Sequence, residues 1–316
     1  MAMRFAVLLC AEDTDYVKKK YGGYLGVFLR MLAEEGELWD VFHVASGNFP
    51  DEQQTQLYDG FVITGSCNDA HGDDAWIIEL LSLVNKLDSM NKKILGICFG
   101  HQILARALGG KVGRALTGWD IGVRTINFSP STKMFTRLEM PVALSLIECH
   151  RDEVHELPSK VEVLAWSDKT RVEVFRYGDH IMGVQGHPEY TKDILLHLID
   201  KLLQRNLIEE PYAVKARANI EEMEPDREPW KELCTNFLKG RLDYEINHNP
   251  NMVKDTVINH NPNMVKDSVI NHNPNMVKDS VINHNPNMVK DNVINHNPNM
   301  VKDNEINHNA SLVKIM

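Results

Sequence analysis

With 316 residues, 43% of them hydrophobic, and a net charge of −10, the chain can fill a sizeable core, and its acidity argues against nucleic acid or an anionic membrane as its principal partner. Five cysteines with no CxxC pair or disulfide-like spacing predict free thiols in a reducing compartment. No apolar run approaches the length of a bilayer span, so a cytosolic protein is expected.

Residues 4–10 read as a buried strand rather than a signal peptide. The apolar run is short, and Glu12, Asp13 and Asp15 follow where a small-residue cleavage site would stand. Residues 24–35 carry Leu25, Phe28, Leu29 and Leu32 at helical spacing, and 38–45 and 60–64 read as strands. Residues 74–87 form an amphipathic helix through Trp76, Ile77, Leu80, Leu81 and Val84. A strand at 93–98 then meets a helix at 100–108. This alternation predicts a parallel sheet covered on both faces.

The rhythm then changes. Residues 123–128, 143–148, 161–167, 172–177 and 181–185 read as strands with short links, which favours antiparallel pairing. Helices at 192–205, 211–222 and 230–238 close the domain. The expected fold is α/β, a three-layer sandwich around a mixed, mainly parallel sheet spanning residues 1–242. Residues 245–316 form a separate array of period twelve, with near-identical copies opening at Ile246, Ile258, Ile270, Ile282, Ile294 and Ile306. Few apolar side chains and many Asn predict disorder. One His per copy (His248 to His308) leaves weak metal binding as a second reading. The array carries six Lys against seven acidic side chains, so nearly all the net charge belongs to the domain.

The segment Gly96-Ile97-Cys98-Phe99-Gly100-His101-Gln102 joins a buried strand to a helix. In G-x-C-x-G the glycines remove side chains that would collide in a tight turn, and the sulfur projects from the sheet edge. The helix N-terminus is expected to lower the thiol pKa, and the Phe99 N–H to face a developing oxyanion. A buried Cys with incidental glycines is the plain alternative. The second segment, Val184-Gln185-Gly186-His187-Pro188-Glu189, supplies a base with a carboxylate two residues on, on the same side of an extended chain. A third, Val62-Ile63-Thr64-Gly65-Ser66-Cys67, runs a strand into a glycine turn that could offer a second oxyanion donor.

G-I-C-F-G-H-Q, C-H-R-D-E-V at residues 149–154 and V-Q-G-H-P-E, in that order, resemble the signatures of class I glutamine amidotransferase domains. The resemblance implies Cys98 as nucleophile, His187 as base, Glu189 as its orienter, and Gly65, Ser66 and Phe99 as the oxyanion hole. It also implies that Gln102 and the backbone around His150–Arg151 hold the glutamyl group. Members usually read Q-F-H-P-E; Gly186 in place of Phe is expected to open space beside the base. Nothing after residue 242 resembles a synthase, so no synthase partner, metal or cofactor is expected. A stand-alone domain with Q-G-H-P-E-Y and the loop Lys20-Tyr21-Gly22-Gly23-Tyr24 looks like the plant γ-glutamyl peptidases. These act on glutathione and its S-conjugates, release glutamate and Cys-Gly conjugates, and feed compounds such as glucosinolates. Gly186, Tyr21 and Tyr24 are then expected to line the leaving-group side of the cleft, unless Gly22–Gly23 simply form a loop before a helix. The competing functional readings are a glutaminase subunit supplying ammonia to a separate synthase, and a binding protein that kept the fold without activity.

Overall fold

The computed structural model describes residues 2–129, 138 and 140–242; the repeat array expected to be disordered lies outside them. Strand β1 (Arg4–Leu8) sits between β2 (Leu38–Phe42) and β3 (Gly60–Ile63), and β4 (Lys93–Ile97) and β11 (Ile181–Val184) follow, all in parallel. From β11 the sheet continues antiparallel through β10 (Val174–Tyr177), β9 (Glu162–Trp166), β6 (Asp120–Phe128) and β7 (Ala143–His150). A separate hairpin pairs β5 (Lys111–Arg114) with β8 (Asp152–Glu156). The sheet is thus mixed, its parallel half built from the first four strands of the chain and the last.

Period-two alternation sends the two faces of each strand into different cores. Phe5 and Val7 join Val62, Leu95 and Ile97 under helices α2 (Gly23–Leu32), α6 (Lys192–Gln204), α7 (Glu210–Glu222) and α8 (Arg227–Leu238). Ala6 and Leu8 join Phe61, Ile63 and Ile94 under α4 (Ala75–Ser89) and α5 (Phe99–Ala107). Two apolar faces on one sheet require two covering layers, which gives the three-layer sandwich.

Four elements are absent from the sequence reading. Helix α1 (Asp15–Tyr21) is short and basic, but the Thr14 side chain accepts from the Val17 N–H, and Gly22 ends the helix at φ 79°. Helix α3 (Glu52–Leu57) is held by a reciprocal capping box between Asp51 and Gln54. Strands β5 and β8 are too short and polar to show a period.

Sheet order decides where the chemistry collects. The C-terminal ends of β3, β4 and β11 are neighbours, so the segments after them converge on one crevice. Open α/β sheets bind ligands at such strand ends.

Candidate active site

Cys98 is the residue between β4 and α5, and its backbone sits at φ 52°, ψ −102°. A non-glycine residue there costs on the order of 1–3 kcal/mol, and surrounding structure must hold it. Part of the hold is the Cys98 N–H donating to the Val184 carbonyl at 2.8 Å, which stitches the ends of β4 and β11 together. The flanking glycines are sterically required. A Cβ on Gly96 would lie 2.6 Å from the Gly100 backbone, and one on Gly100 would lie 2.3 Å from the Ile63 carbonyl oxygen. The G-x-C-x-G spacing is therefore what lets helix and strand approach closely enough to form the elbow.

After β11 the chain is fixed at two points. The Gln185 N–H donates to the Glu173 carbonyl at 2.8 Å, and the His187 N–H donates to the Ile147 carbonyl at 2.8 Å. The second bond brings the far end of β7 against the segment after β11. His187 Nδ1 lies 2.8 Å from Glu189 Oε1 with both side chains buried; a carboxylate accepts, so Nδ1 carries the hydrogen of this bond. Tyr190 stacks on the imidazole with ring centroids 4.0 Å apart and planes within 2°. The sequence reading did not single out Tyr190, although it directly follows Glu189.

Cys98 and His187 line one cavity of about 270 Å³. The expectation of a thiol made acidic by the helix N-terminus is not met. Burial pushes the Cys98 thiol well above its ordinary range, Cys149, Glu148 and Glu189 add to the rise, and the Phe99 backbone N–H opposes it without prevailing. These influences favour the neutral form of the Cys98 thiol.

Three other expected residues, Gln102, His150 and Arg151, also line the cavity, as does Ser66. The Ser66 hydroxyl donates to the Cys10 carbonyl at 2.7 Å, and the Asn68 N–H donates to the Ser66 oxygen at 3.1 Å, which pins the loop after β3. Gly65 precedes it, and its carbonyl accepts from the Thr64 hydroxyl at 3.2 Å. Phe99 opens α5 beside Cys98, its ring stacked on Trp76 at 5.5 Å. Gln102 Nε2 donates to the Asp152 carbonyl at 2.9 Å and to Gln185 Oε1 at 3.1 Å, so both amide hydrogens are used and Oε1 remains as its acceptor.

Tyr21 and Tyr24 do not line this cavity. The turn at Gly22 directs both rings inward. The Tyr21 hydroxyl bonds Asp193 at 2.8 Å and Thr191 at 2.8 Å, and Tyr24, 2% exposed, packs behind Tyr190 with centroids 6.4 Å apart.

The cavity lining falls into two unlike groups of residues. One is charged: Arg114 grips both oxygens of Asp69 at 2.7 and 2.8 Å and also bonds Asp152. The other is apolar, built from Leu198 and Leu202 of α6 with Trp119 and Leu207; the Trp119 indole N–H donates to the Leu207 carbonyl at 3.1 Å. The apolar group was not legible from the sequence, because its residues come from three separate segments.

A family model described as "Glutamine amidotransferase class-I" matches residues 20–198. The chain belongs to this family. Among curated class-I relatives, "Gamma-glutamyl peptidase 5" of Arabidopsis thaliana is 52% identical over 243 residues, which span 76% of this chain and 97% of that protein. "Gamma-glutamyl peptidase 3" of the same plant is 50% identical over 241 residues, 75% and 97% of the two chains. A solved glutamine amidotransferase from Thermotoga maritima superposes with a TM-score of 0.60 at 21% identity, over 77% of this chain and 99% of that one, and so shares the fold. Against the usual Q-F-H-P-E of class-I members, the glycine at 186 leaves no open space here. A Cβ on it would meet Glu148 Oε1 at 2.3 Å and Leu146 at 2.5 Å. The expectation that Gly186 widens the cleft is thus corrected: the buried Glu148 carboxyl fills the room it makes. Among the described residues no helix is long and apolar enough to cross a membrane.

Proposed function

We propose that the chain is a cytosolic γ-glutamyl peptidase that cleaves glutathione or glutathione S-conjugates, with Cys98 as nucleophile, His187 as base and Glu189 as its orienter. The observation that carries this reading is the mixed charged and apolar lining of the cavity that holds Cys98 and His187. Releasing ammonia from glutamine needs no space beyond the nucleophile. An apolar wall of Trp119, Leu198, Leu202 and Leu207 suits a leaving amine that carries a bulky substituent. The names and full-length coverage of the Arabidopsis relatives support the same reading.

In this mechanism the charged group of residues receives the α-ammonium and α-carboxylate of the glutamyl group. Gln102 Oε1 accepts from the ammonium, and the backbone at His150–Arg151 frames the pair. His187 Nε2 takes the Cys98 proton as sulfur attacks the γ-carbonyl, so thiolate and imidazolium form together rather than in advance. The oxyanion is met by N–H groups of Phe99 and of the Gly65–Ser66 turn. Collapse expels the Cys-Gly amine, which takes its proton from His187 and leaves a γ-glutamyl thioester. Water, deprotonated by His187, then frees glutamate and restores the thiol. Cys-Gly conjugates so released would serve sulfur-rich compounds such as glucosinolates, with no synthase partner required.

The test compares kcat/KM for glutamine with that for a glutathione S-conjugate. Preference for the conjugate supports the proposal; a clear preference for glutamine replaces it with the glutaminase reading.

A further inference from the structure

Behind the cavity wall lies a set of buried acidic side chains that the mechanism above does not use. Glu148 on β7 and Glu173, just before β10, are both 0% exposed, and Asp120 on β6 is 2% exposed. Asp120 is answered by Arg124 at 2.8 Å and Lys169 at 3.3 Å. Glu148 is not answered in this way. Both of its oxygens lack a hydrogen-bond partner, and Oε2 lies 3.3 Å from His150 Nε2, which lacks one as well. The two side chains project from the same face of β7, two residues apart.

The hydrogen count at His150 follows from its other nitrogen. Nδ1 lies 3.0 Å from the Asp152 carbonyl oxygen, which can only accept, so Nδ1 bears a hydrogen. If Glu148 were ionised and Nε2 bare, two electron-rich atoms would lie 3.3 Å apart between side chains that are both buried, at a substantial desolvation cost. One proton between Oε2 and Nε2 removes that conflict wherever it resides, since acid with neutral ring and carboxylate with imidazolium both sum to zero charge. Burial and the nearby Asp120 push the Glu148 carboxyl well above the usual carboxylate range, Arg124 opposing and Glu189 adding, which agrees with a proton held there.

We propose that Glu148 is a positioning residue for the γ-glutamyl end of the substrate, acting through His150. The shared proton fixes the ring, the ring fixes the Asp152 carbonyl through Nδ1, and that carbonyl also receives Gln102 Nε2 at 2.9 Å. One buried carboxyl thereby sets both the turn between β7 and β8 and the amide of Gln102, two groups on the cavity wall. Gly186 is the complement of this device, because any side chain there would occupy the carboxyl's place. The inference rests on the proposed reaction for its kinetic consequence, though not for the proton itself.

The experiment compares Glu148→Gln with Glu148→Met in the full chain. A glutamine amide can still donate to His150 Nε2, whereas methionine fills a similar volume without a donor. Glu148→Gln is expected to stay within about threefold of wild-type KM for a γ-glutamyl substrate. Glu148→Met is expected to raise KM at least tenfold while kcat changes by less than about threefold, a difference of about 1.4 kcal/mol or more in binding. Equal KM in the two variants, or a loss confined to kcat, overturns the proposal. Imidazole ¹⁵N resonances of His150 supply a readout independent of turnover. The Nε2 resonance of wild type and Glu148→Gln should be shifted by a hydrogen-bond partner relative to Glu148→Met, and identical spectra in all three overturn it. An inactive wild type would defeat the proposed reaction and leave this spectral test standing. Should Glu148→Met fail to fold, Gly186→Ala drives a methyl into the carboxyl and must raise KM in its place; wild-type KM in that variant also overturns the proposal.

Discussion

At the scale of single residues, the charge state of the nucleophile organises the expectations. Cys98 is buried, and burial, with Cys149, Glu148 and Glu189 nearby, disfavours its ionisation. In the proposed reaction the sulfur therefore loses its proton to His187 during attack. His187→Ala is expected to lower kcat/KM by about 10²–10⁴-fold. Glu189→Gln should cost less, because the amide still contacts Nδ1 and only orientation and imidazolium stabilisation suffer; steady-state kinetics of the two variants rank them. Cys98→Ala should abolish turnover, and retention of the wild-type rate would remove Cys98 from the mechanism. Alkylation gives an independent check. Iodoacetamide at neutral pH should modify exposed Cys67 well before Cys98, as read by peptide mass mapping. Fast labelling of Cys98 would mean that the thiol is ionised in the free protein.

At the scale of elements, helix α6 joins the core to the cavity. Its Ile194, Leu195 and Ile199 are fully buried, whereas Leu198 and Leu202 also line the cavity, as Trp119 does. Its N-terminal end is moored to α1, where Tyr16, Tyr21 and Lys20 all bond Asp193, at 2.6, 2.8 and 2.9 Å. Leu202→Ala or Trp119→Ala is expected to reduce kcat/KM for a conjugate bearing a bulky apolar group by about 10-fold or more, and to leave glutamine turnover nearly unchanged. Apolar contacts in a pocket are worth roughly 1–3 kcal/mol of discrimination. Parallel losses for both substrates in competition assays would show that the wall supports the fold rather than selects the substrate. Tyr21→Phe, by contrast, should leave KM for either substrate unchanged, since the ring stands behind the cavity.

For the whole molecule, buried titratable groups shape the response to pH. His101 is fully buried, and burial holds its pKa at about 3 against an ordinary 6.5. The unfolded chain then binds a proton that the folded one refuses between those values. Stability is complete above pH 6.5 and falls as the pH drops toward 3, by about 1.4 kcal/mol per unit once the unfolded residue is fully protonated. Glu173 has the opposite sign. Burial raises its pKa well above the ordinary 4.5, so its contribution is complete below 4.5 and declines as the pH rises. Urea unfolding across this range should show His101→Gln flattening the acid limb. Glu173→Gln should gain on wild type increasingly from pH 4.5 upward. A variant whose profile runs parallel to wild type would exclude that group as a source of the slope.

How far the sequence reached depended on local repetition of pattern. The alternation of apolar runs and amphipathic helices gave the layers. G-I-C-F-G and G-H-P-E gave the elbow and the His187–Glu189 contact, because a tight turn needs its glycines within two residues and a His–Glu contact two residues apart needs no distant partner. Helix α1 escaped because its three lysines mask the apolar period. The placement of Tyr21 and Tyr24 went wrong because a glycine turn reverses direction at a point that no periodicity marks.

The sequence by itself determined the α/β layering, the strained cysteine and the His187–Glu189 pair, since each is a local consequence of side-chain size and spacing. Only the tertiary structure decided what surrounds them. Sheet order set the ends of β3, β4 and β11 side by side, the return of β7 buried Glu148 beneath Gly186, and α6 laid leucines along the cavity that Trp119 also lines. The physical reason is range: burial and desolvation depend on neighbours brought from tens to hundreds of residues away. Burial among those neighbours disfavours the thiolate that the helix N-terminus alone would favour.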